Sequence, residues 1–296
     1  MEICKTIPAV KDYIWGGTLF RSWGKRASFP NIAECWELSF RDESPTLLED
    51  GTELRKAAKP EDIGEKALKF PFFPTLIKLI NSAQNLSVQV HPSDEYALKS
   101  EGEYGKTEMW HIIEAEPGAG LYIGFKKDTD EQEVRRRIED GTIIDILNFV
   151  EVHPGGNFFI PSGTVHAIGK GVTLVEIQQN SNLTYRLYDY KRLGKDGKPR
   201  ELHIDKAMKV LCFKKYKPVV FPKPLIGECP YFSSSVYPVE EKSVGAPKDC
   251  FASMTFLSGE GTFSGIPFKQ GDTFFIPAGK TGKLEGNGEY VYTTLP

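Results

Sequence analysis

Gln89 and His91 stand two residues apart in LSVQVHP (86–92), Lys106 and Glu108 stand two apart in GKTEMWHII, and His166 follows a Pro-x-Gly turn in IPSGTVH. An amide oxygen, two imidazoles and a carboxylate are all ligands that a borderline divalent cation accepts. If 86–92 is a strand, Gln89 and His91 project from one face, while Leu86, Val88 and Val90 take the other. Glu108 opens an apolar stretch about one hairpin later, with Lys106 on the same presumed face, so a carboxylate and an amine share one site. Taken singly, each has a plainer reading: a polar pair at a strand end, a solvated charge, a turn-capping histidine. Together they form four ligands from three β-segments, with a position left for water or substrate. His111, His153 and His203 lack such surroundings and read as structural or surface residues.

The elements that must hold these side chains are mostly short strands punctuated by Gly and Pro: 33–40, 86–92, 119–125, 156–163 and 171–179. Two segments have helical character, 52–70, broken at Pro60, and 128–150, where Asp128 and Thr129 offer capping oxygens before an acidic first turn. An internal repeat organises the rest. GGNFFIPSGTVHAIGKG (155–171) and QGDTFFIPAGKTGKLEG (270–286) share Gly-x5-Pro-x-Gly, at Gly155, Pro161 and Gly163 and again at Gly271, Pro277 and Gly279. Each copy reads as a strand entering a tight turn and leaving as the next strand, so two copies imply two related β-barrels. Where the first copy has His166 the second has Gly282, and all five histidines precede residue 204. The expected division is therefore a metal-binding unit over 1–221 and a degenerate half without metal over 222–296.

Composition bounds the function. Of 296 residues, 37 are basic and 40 acidic, a formal charge of −3 that offers no broad attraction to nucleic acid or to an anionic membrane. Any anionic ligand must be met locally. The five cysteines are scattered with no Cys-x-x-Cys pair, as expected of reduced thiols in a cytoplasm. The start of the chain lacks a basic, apolar leader and no apolar run is long enough to span a bilayer, so the chain reads as cytoplasmic and complete.

Several longer stretches carry a specific likeness: the early Trp-Gly-Gly (15–17), FPTLIKLINSAQNLSVQVHPSDEYA (73–97), KTEMWHIIEAEPGA (106–119) and FFIPSGTVHAIGKGVTLVEIQQNSNLTYRLYDY (158–190). Spread over most of residues 1–215, they make the chain resemble type I mannose-6-phosphate isomerases of the short bacterial form. The resemblance implies a mainly β fold of two cupin (jelly-roll-like) barrels with helical insertions. It also implies one Zn²⁺ per chain on Gln89, His91, Glu108 and His166. Arg186 then faces the substrate across the metal, with Lys78 and Lys106 as further active-site cations, and Arg186 and Lys106 as the catalytic pair. The implied reaction interconverts mannose 6-phosphate and fructose 6-phosphate through a metal-stabilised cis-enediol; the oligomeric state is left open between monomer and homodimer. The chain departs from the longer enzymes in lacking room for a separate helical domain, and Lys170 stands where the general cupin turn often has Asn. Two other readings stay open: an iron-dependent cupin dioxygenase, for which His91, Glu108 and His166 satisfy a two-histidine, one-carboxylate count, and a non-catalytic sugar-binding cupin.

Overall fold

The computed structural model describes all 296 residues. Its strands form four sheets, every pairing within them antiparallel. The sheets do not close into continuous barrels; each half is a pair of facing sheets, the open form of a jelly roll.

In the first half, a six-stranded sheet runs Ala9–Lys11, Glu34–Leu38, Thr75–Ser82, Val172–Gln179, Glu108–Ala115, Asn157–Ile160. A five-stranded sheet runs Tyr185–Tyr188, Val88–Val90, His166–Ile168, Gly120–Phe125, Leu147–Glu151. Ile80, Leu174 and Ile112 of the first pack on Leu121, Ile123 and Ile168 of the second. The second half pairs another six-stranded sheet, which includes Ala252–Ser258, Thr273–Ile276 and Glu289–Thr294, with the four strands Lys242–Gly245, Thr281–Gly286, Glu260–Phe263 and Ile266–Lys269. Between them lies an aromatic core of Phe256, Phe263, Phe268, Phe274 and Tyr290.

The two halves share the largest core. Ile77, Leu79, Met109, Val175 and Ile177, on the outer face of the first six-stranded sheet, meet Phe232, Phe251, Phe275 and Val291 of the second half. That sheet is covered on both faces, which explains why Val172–Gln179 is buried at every position instead of alternating. The N-terminal strand Cys4–Lys5 pairs with Phe274 and Phe275, tying the start of the chain to the second half.

The repeat is structural as well as sequential. Gly155, Gly163, Gly271 and Gly279 all have positive φ, between 73° and 84°, a backbone that suits glycine. At Gly282, the counterpart of His166, an added Cβ would come within 2.9 Å of Ser264 and 3.0 Å of Ile3. An imidazole there would have to displace those neighbours.

The helical expectations hold in part. Residues 52–70 form three short helices, Leu54–Ala57, Pro60–Ile63 and Glu65–Leu68, with Pro60 opening the second. The other segment is α-helical over Glu131–Asp140, with a 3-10 turn at Ile143–Ile146, and the cap of the helix is Asp130, which accepts from the Glu133 NH at 2.8 Å. Asp128 accepts from Lys215 and Lys214 instead. The helix ends at left-handed Gly141, and Leu147–Glu151 is an edge strand. Leu86 also departs from expectation: it precedes its strand and lines the cleft described below, while Val88 and Val90 enter the core on the far side.

Between the halves, Glu37 is fully buried against Lys25, Nζ to Oε1 2.7 Å. Burial, only partly offset by Lys25, pushes its carboxyl up to about 7. The folded protein then keeps a proton that the unfolded chain releases above pH ~4.5. This contribution to stability is present below the unfolded value and lost as pH rises through about 7. Between pH 5 and 8 the wild type is expected to lose roughly 2–3 kcal/mol relative to Glu37→Gln in urea titrations; a pH-independent difference would contradict it.

Candidate metal centre

Register places the site residues in two rows that face each other. On the five-stranded sheet, Gln89 lies opposite both His166 and Arg186, so three side chains line up across three strands. On the six-stranded sheet, Trp36, Lys78, Glu176 and Trp110 are directly opposed across four strands. Glu108 and Glu34 lie two residues from Trp110 and Trp36, on the same face. Polar side chains are thus gathered at one end of an apolar interior, around a cleft of about 280 Å³ that Trp15, Ile80, Leu86 and Ile168 also line.

At the closed end, His91 Nε2 is 2.6 Å and His166 Nε2 3.4 Å from Glu108 Oε1, all three side chains almost wholly buried. Each imidazole has its other nitrogen at a backbone carbonyl: His91 Nδ1 donates to Leu183 O at 2.7 Å and His166 Nδ1 to Thr164 O at 2.9 Å. Those bonds place the proton on Nδ1 and leave Nε2 an unprotonated acceptor. Burial holds both rings below the usual imidazole range, with the Lys106 charge adding to this at His91, so both are neutral at pH 7. At Glu108 the effect of burial is outweighed by Lys106 and its other neighbours, and the carboxyl falls to about 2. Glu108 Oε1 accepts no hydrogen bond. Three acceptors therefore converge on one point, the two imidazole nitrogens on Glu108 Oε1, with no proton shared directly among them, an arrangement that a cation would relieve. These donors lie within 4.8 Å of one another. The Gln89 amide adjoins them, its nitrogen 3.3 Å from His166 Nε2, and a half-turn of the amide presents an oxygen instead. Neutral imidazole, carboxylate and amide oxygen fit a borderline divalent ion such as zinc.

Lys106, just ahead of the strand Glu108–Ala115, has Nζ 3.1 Å from Glu108 Oε2, 3.3 Å from His91 Nε2 and 3.8 Å from Glu176 Oε1. Lys78 sits between Glu176 at 3.2 Å and Glu34 at 3.8 Å, over the Trp36 ring. Burial alone would lower it, but Glu34 and Glu176 outweigh that and raise it, so Lys78 is a fixed cation. Both lysines line the cleft, as does Arg186, whose Nε donates to Ser87 Oγ at 3.3 Å and whose Nη1 donates to Glu201 O at 2.8 Å. The seven expected site residues are thus brought together.

Sequence reasoning passed over Glu34 and Glu176. Trp36 Nε1 donates to Glu34 at 2.7 Å and Trp110 Nε1 to Glu176 at 2.9 Å, so each carboxylate is fixed by an indole on its own sheet. Burial, and then the Glu108 charge, raise the Glu176 carboxyl. The available signal was a lone glutamate inside the apolar run GVTLVEIQQ, where a charge has to meet a partner. The other three histidines stand apart from the cluster: His111 bonds Asn157 at 2.8 Å and His203 meets the Arg186 backbone NH at 3.2 Å, while His153 lies outside it. The five cysteines are unpaired, and no helix is long and apolar enough to cross a membrane.

No family model matches the sequence. Individual proteins do. The mannose-6-phosphate isomerase ManA of Bacillus subtilis is 36% identical over 310 residues, covering 97% of each chain. The probable mannose-6-phosphate isomerase GmuF of the same organism is 35% identical, covering 92% of each. The crystal structure of a mannose 6-phosphate isomerase from Bacillus subtilis superposes with a TM-score of 0.87 at 29% identity, over 99% of both chains. A mannose 6-phosphate isomerase crystallised with zinc and yttrium shares the fold at a TM-score of 0.76 and 19% identity, over 100% of both. With relatives this similar over nearly their whole length, the chain belongs to the mannose-6-phosphate isomerase family.

Proposed function

We propose that the chain is a cytoplasmic aldose–ketose isomerase that interconverts mannose 6-phosphate and fructose 6-phosphate, with one zinc ion on Gln89, His91, Glu108 and His166. The observation that carries the metal assignment is the convergence of the two unprotonated imidazole nitrogens on a Glu108 oxygen that accepts no hydrogen bond. Zinc, when bound, supplies Lewis acidity toward the sugar oxygen that gains negative charge as the C2 proton leaves.

The chain's own residues do the rest. Isomerisation moves a proton between C2 and C1 of the open-chain sugar through a cis-enediol, which calls for an acid–base group beside those carbons. Lys106 takes that role, since its amine reaches the cleft from between Glu108 and Glu176. Arg186 holds the sugar oxygens with a planar fork that keeps its charge throughout. Lys78, braced by Glu34 and Glu176, meets the hydroxyl side of the sugar as a fixed cation. Trp15, Ile80, Leu86 and Ile168 narrow the cleft and exclude water from the reacting carbons. Residues 222–296 serve as the scaffold half, backing the sheet that carries Glu108, and the enzyme works as a monomer or homodimer.

The direct test is a coupled assay of zinc-loaded protein. Mannose 6-phosphate should be converted to fructose 6-phosphate with a kcat of roughly 10–10³ s⁻¹, within the usual enzyme range, and glucose 6-phosphate and free mannose should be far poorer substrates. Absence of fructose 6-phosphate, or equal turnover of free mannose, would sink the reading.

A further inference from the structure

The hairpin 191–200 is the part of the cleft wall that the reaction has not yet used. Left-handed Tyr190 and Lys191 turn the chain out of the strand Tyr185–Tyr188, and Leu193 bridges to Pro199. The tip closes on Gly194 NH to Lys198 O at 2.7 Å, and Lys195 is tied to the Asp12 carbonyl at 2.6 Å. The return arm ends at Arg200, which lines the same cleft as Arg186.

One buried carboxylate fixes this arrangement. Asp189 takes Arg200 through Nε at 2.7 Å and Nη2 at 2.6 Å, and Arg192 through Nη2 at 2.6 Å. Arg192 also reaches Asn85 O at 2.6 Å and is committed to holding the hairpin. Arg200 is not so committed: its Nη1 has no protein partner, and the Nη2 of Arg186 has none either. Burial, and next to it the charge of Arg200, push Arg186 below its ordinary value, with Asp189 offsetting them only in part.

The cleft is therefore electrically divided. Its buried end carries Glu34, Glu108 and Glu176 against Lys78 and Lys106, whereas its other end carries two guanidinium groups, Arg186 and Arg200, of which Arg200 is paired to Asp189. At the buried end the cations are already taken up by carboxylates, Lys78 by Glu34 and Glu176 and Lys106 by Glu108, whereas at the other end Arg200 keeps a free Nη1 for a dianion. A sugar phosphate whose reacting carbons sit at Lys106 puts its phosphate at the other end of the six-carbon chain. We infer that Arg200, aimed by Asp189, receives the phosphate of the substrate, and that it separates phosphorylated from plain sugars. This assignment rests on the proposed isomerase reading.

The test pairs kinetics with direct anion binding. Losing one charge-assisted contact should raise KM for mannose 6-phosphate about ten- to a hundredfold in Arg200→Gln, with little change in kcat. Inorganic phosphate, titrated by calorimetry into the zinc-loaded protein, should bind more weakly by a similar factor. Arg200→Lys, which keeps the charge without the fork, should recover part of both. Wild-type KM and wild-type phosphate affinity in a folded Arg200→Gln protein would overturn the assignment. A wild type that binds phosphate through Arg200 but makes no fructose 6-phosphate would keep the anion site and overturn the reaction reading instead.

Discussion

His166→Ala is expected to give a folded protein that no longer retains zinc and isomerises about 10³-fold more slowly, the several kcal/mol that a Lewis acid contributes at a developing oxyanion. The variant removes one of two imidazoles whose unprotonated Nε2 faces Glu108 and leaves the carboxylate without a ligand partner on that side. Folding should survive, because the metal-free wild type already opposes a nitrogen lone pair to a carboxylate oxygen, and deleting the ring relieves that repulsion even as the Thr164 bond, the Gln89 contact and the edge contact with Trp110 are lost. Melting curves separate the two cases. Zinc stabilises a protein that binds it only when folded, by about 2.7 kcal/mol at a hundred times Kd; the wild-type Tm should rise on adding zinc, and that of His166→Ala should not. Stripping the wild type with a chelator should likewise abolish turnover and re-added zinc should restore it. Unchanged zinc content in the variant would remove His166 from the ligand set.

The metal set was legible because its ligands sit in short, local patterns. Gln89 and His91 share a face by strand alternation, and Gly163 sets the turn that delivers His166. The repeat added a control within the same chain, since Gly282 has no side chain and one there would have to displace its neighbours. The floor of the cleft was harder to read. Lys78, Glu176, Trp36 and Trp110 become neighbours only through register across four strands, and register depends on pairings far apart in sequence, Glu176 with Lys78 the farthest. Strand 172–179 also hides its polarity pattern because both of its faces are covered. Helix limits failed for a local reason: Asp130, not Asp128, had the spacing to reach the NH of Glu133. The contact between the halves was out of reach, because Phe275 and Val291 look like ordinary core residues until they are seen packing on the back of the sheet that carries Glu108.

Arg186→Ala should lose turnover while keeping the metal, which sets it apart from every ligand substitution. Arg186 is opposite Gln89 in register, but its contacts run away from the histidines: Ser87 Oγ, the Glu201 carbonyl and, through its backbone NH, His203. None of the convergent lone pairs depends on it, so zinc content and the zinc-dependent rise in Tm should match the wild type. The guanidinium instead faces substrate, where charge appears on the sugar oxygens only as the C2 proton departs. A preorganised cation aimed at that charge is worth more in the transition state than in the ground state, and its loss commonly costs about 10²–10³ in kcat. Arg186→Lys should recover little, because a point charge on a flexible stem does not replace a planar fork already fixed at two of its nitrogens. Arg200→Gln makes the contrast sharper, since it is expected to act through KM. If Arg186→Ala instead raised KM alone and left kcat intact, Arg186 would be a binding residue like Arg200, and the stabilisation of the enediol would fall to Lys106 and the metal.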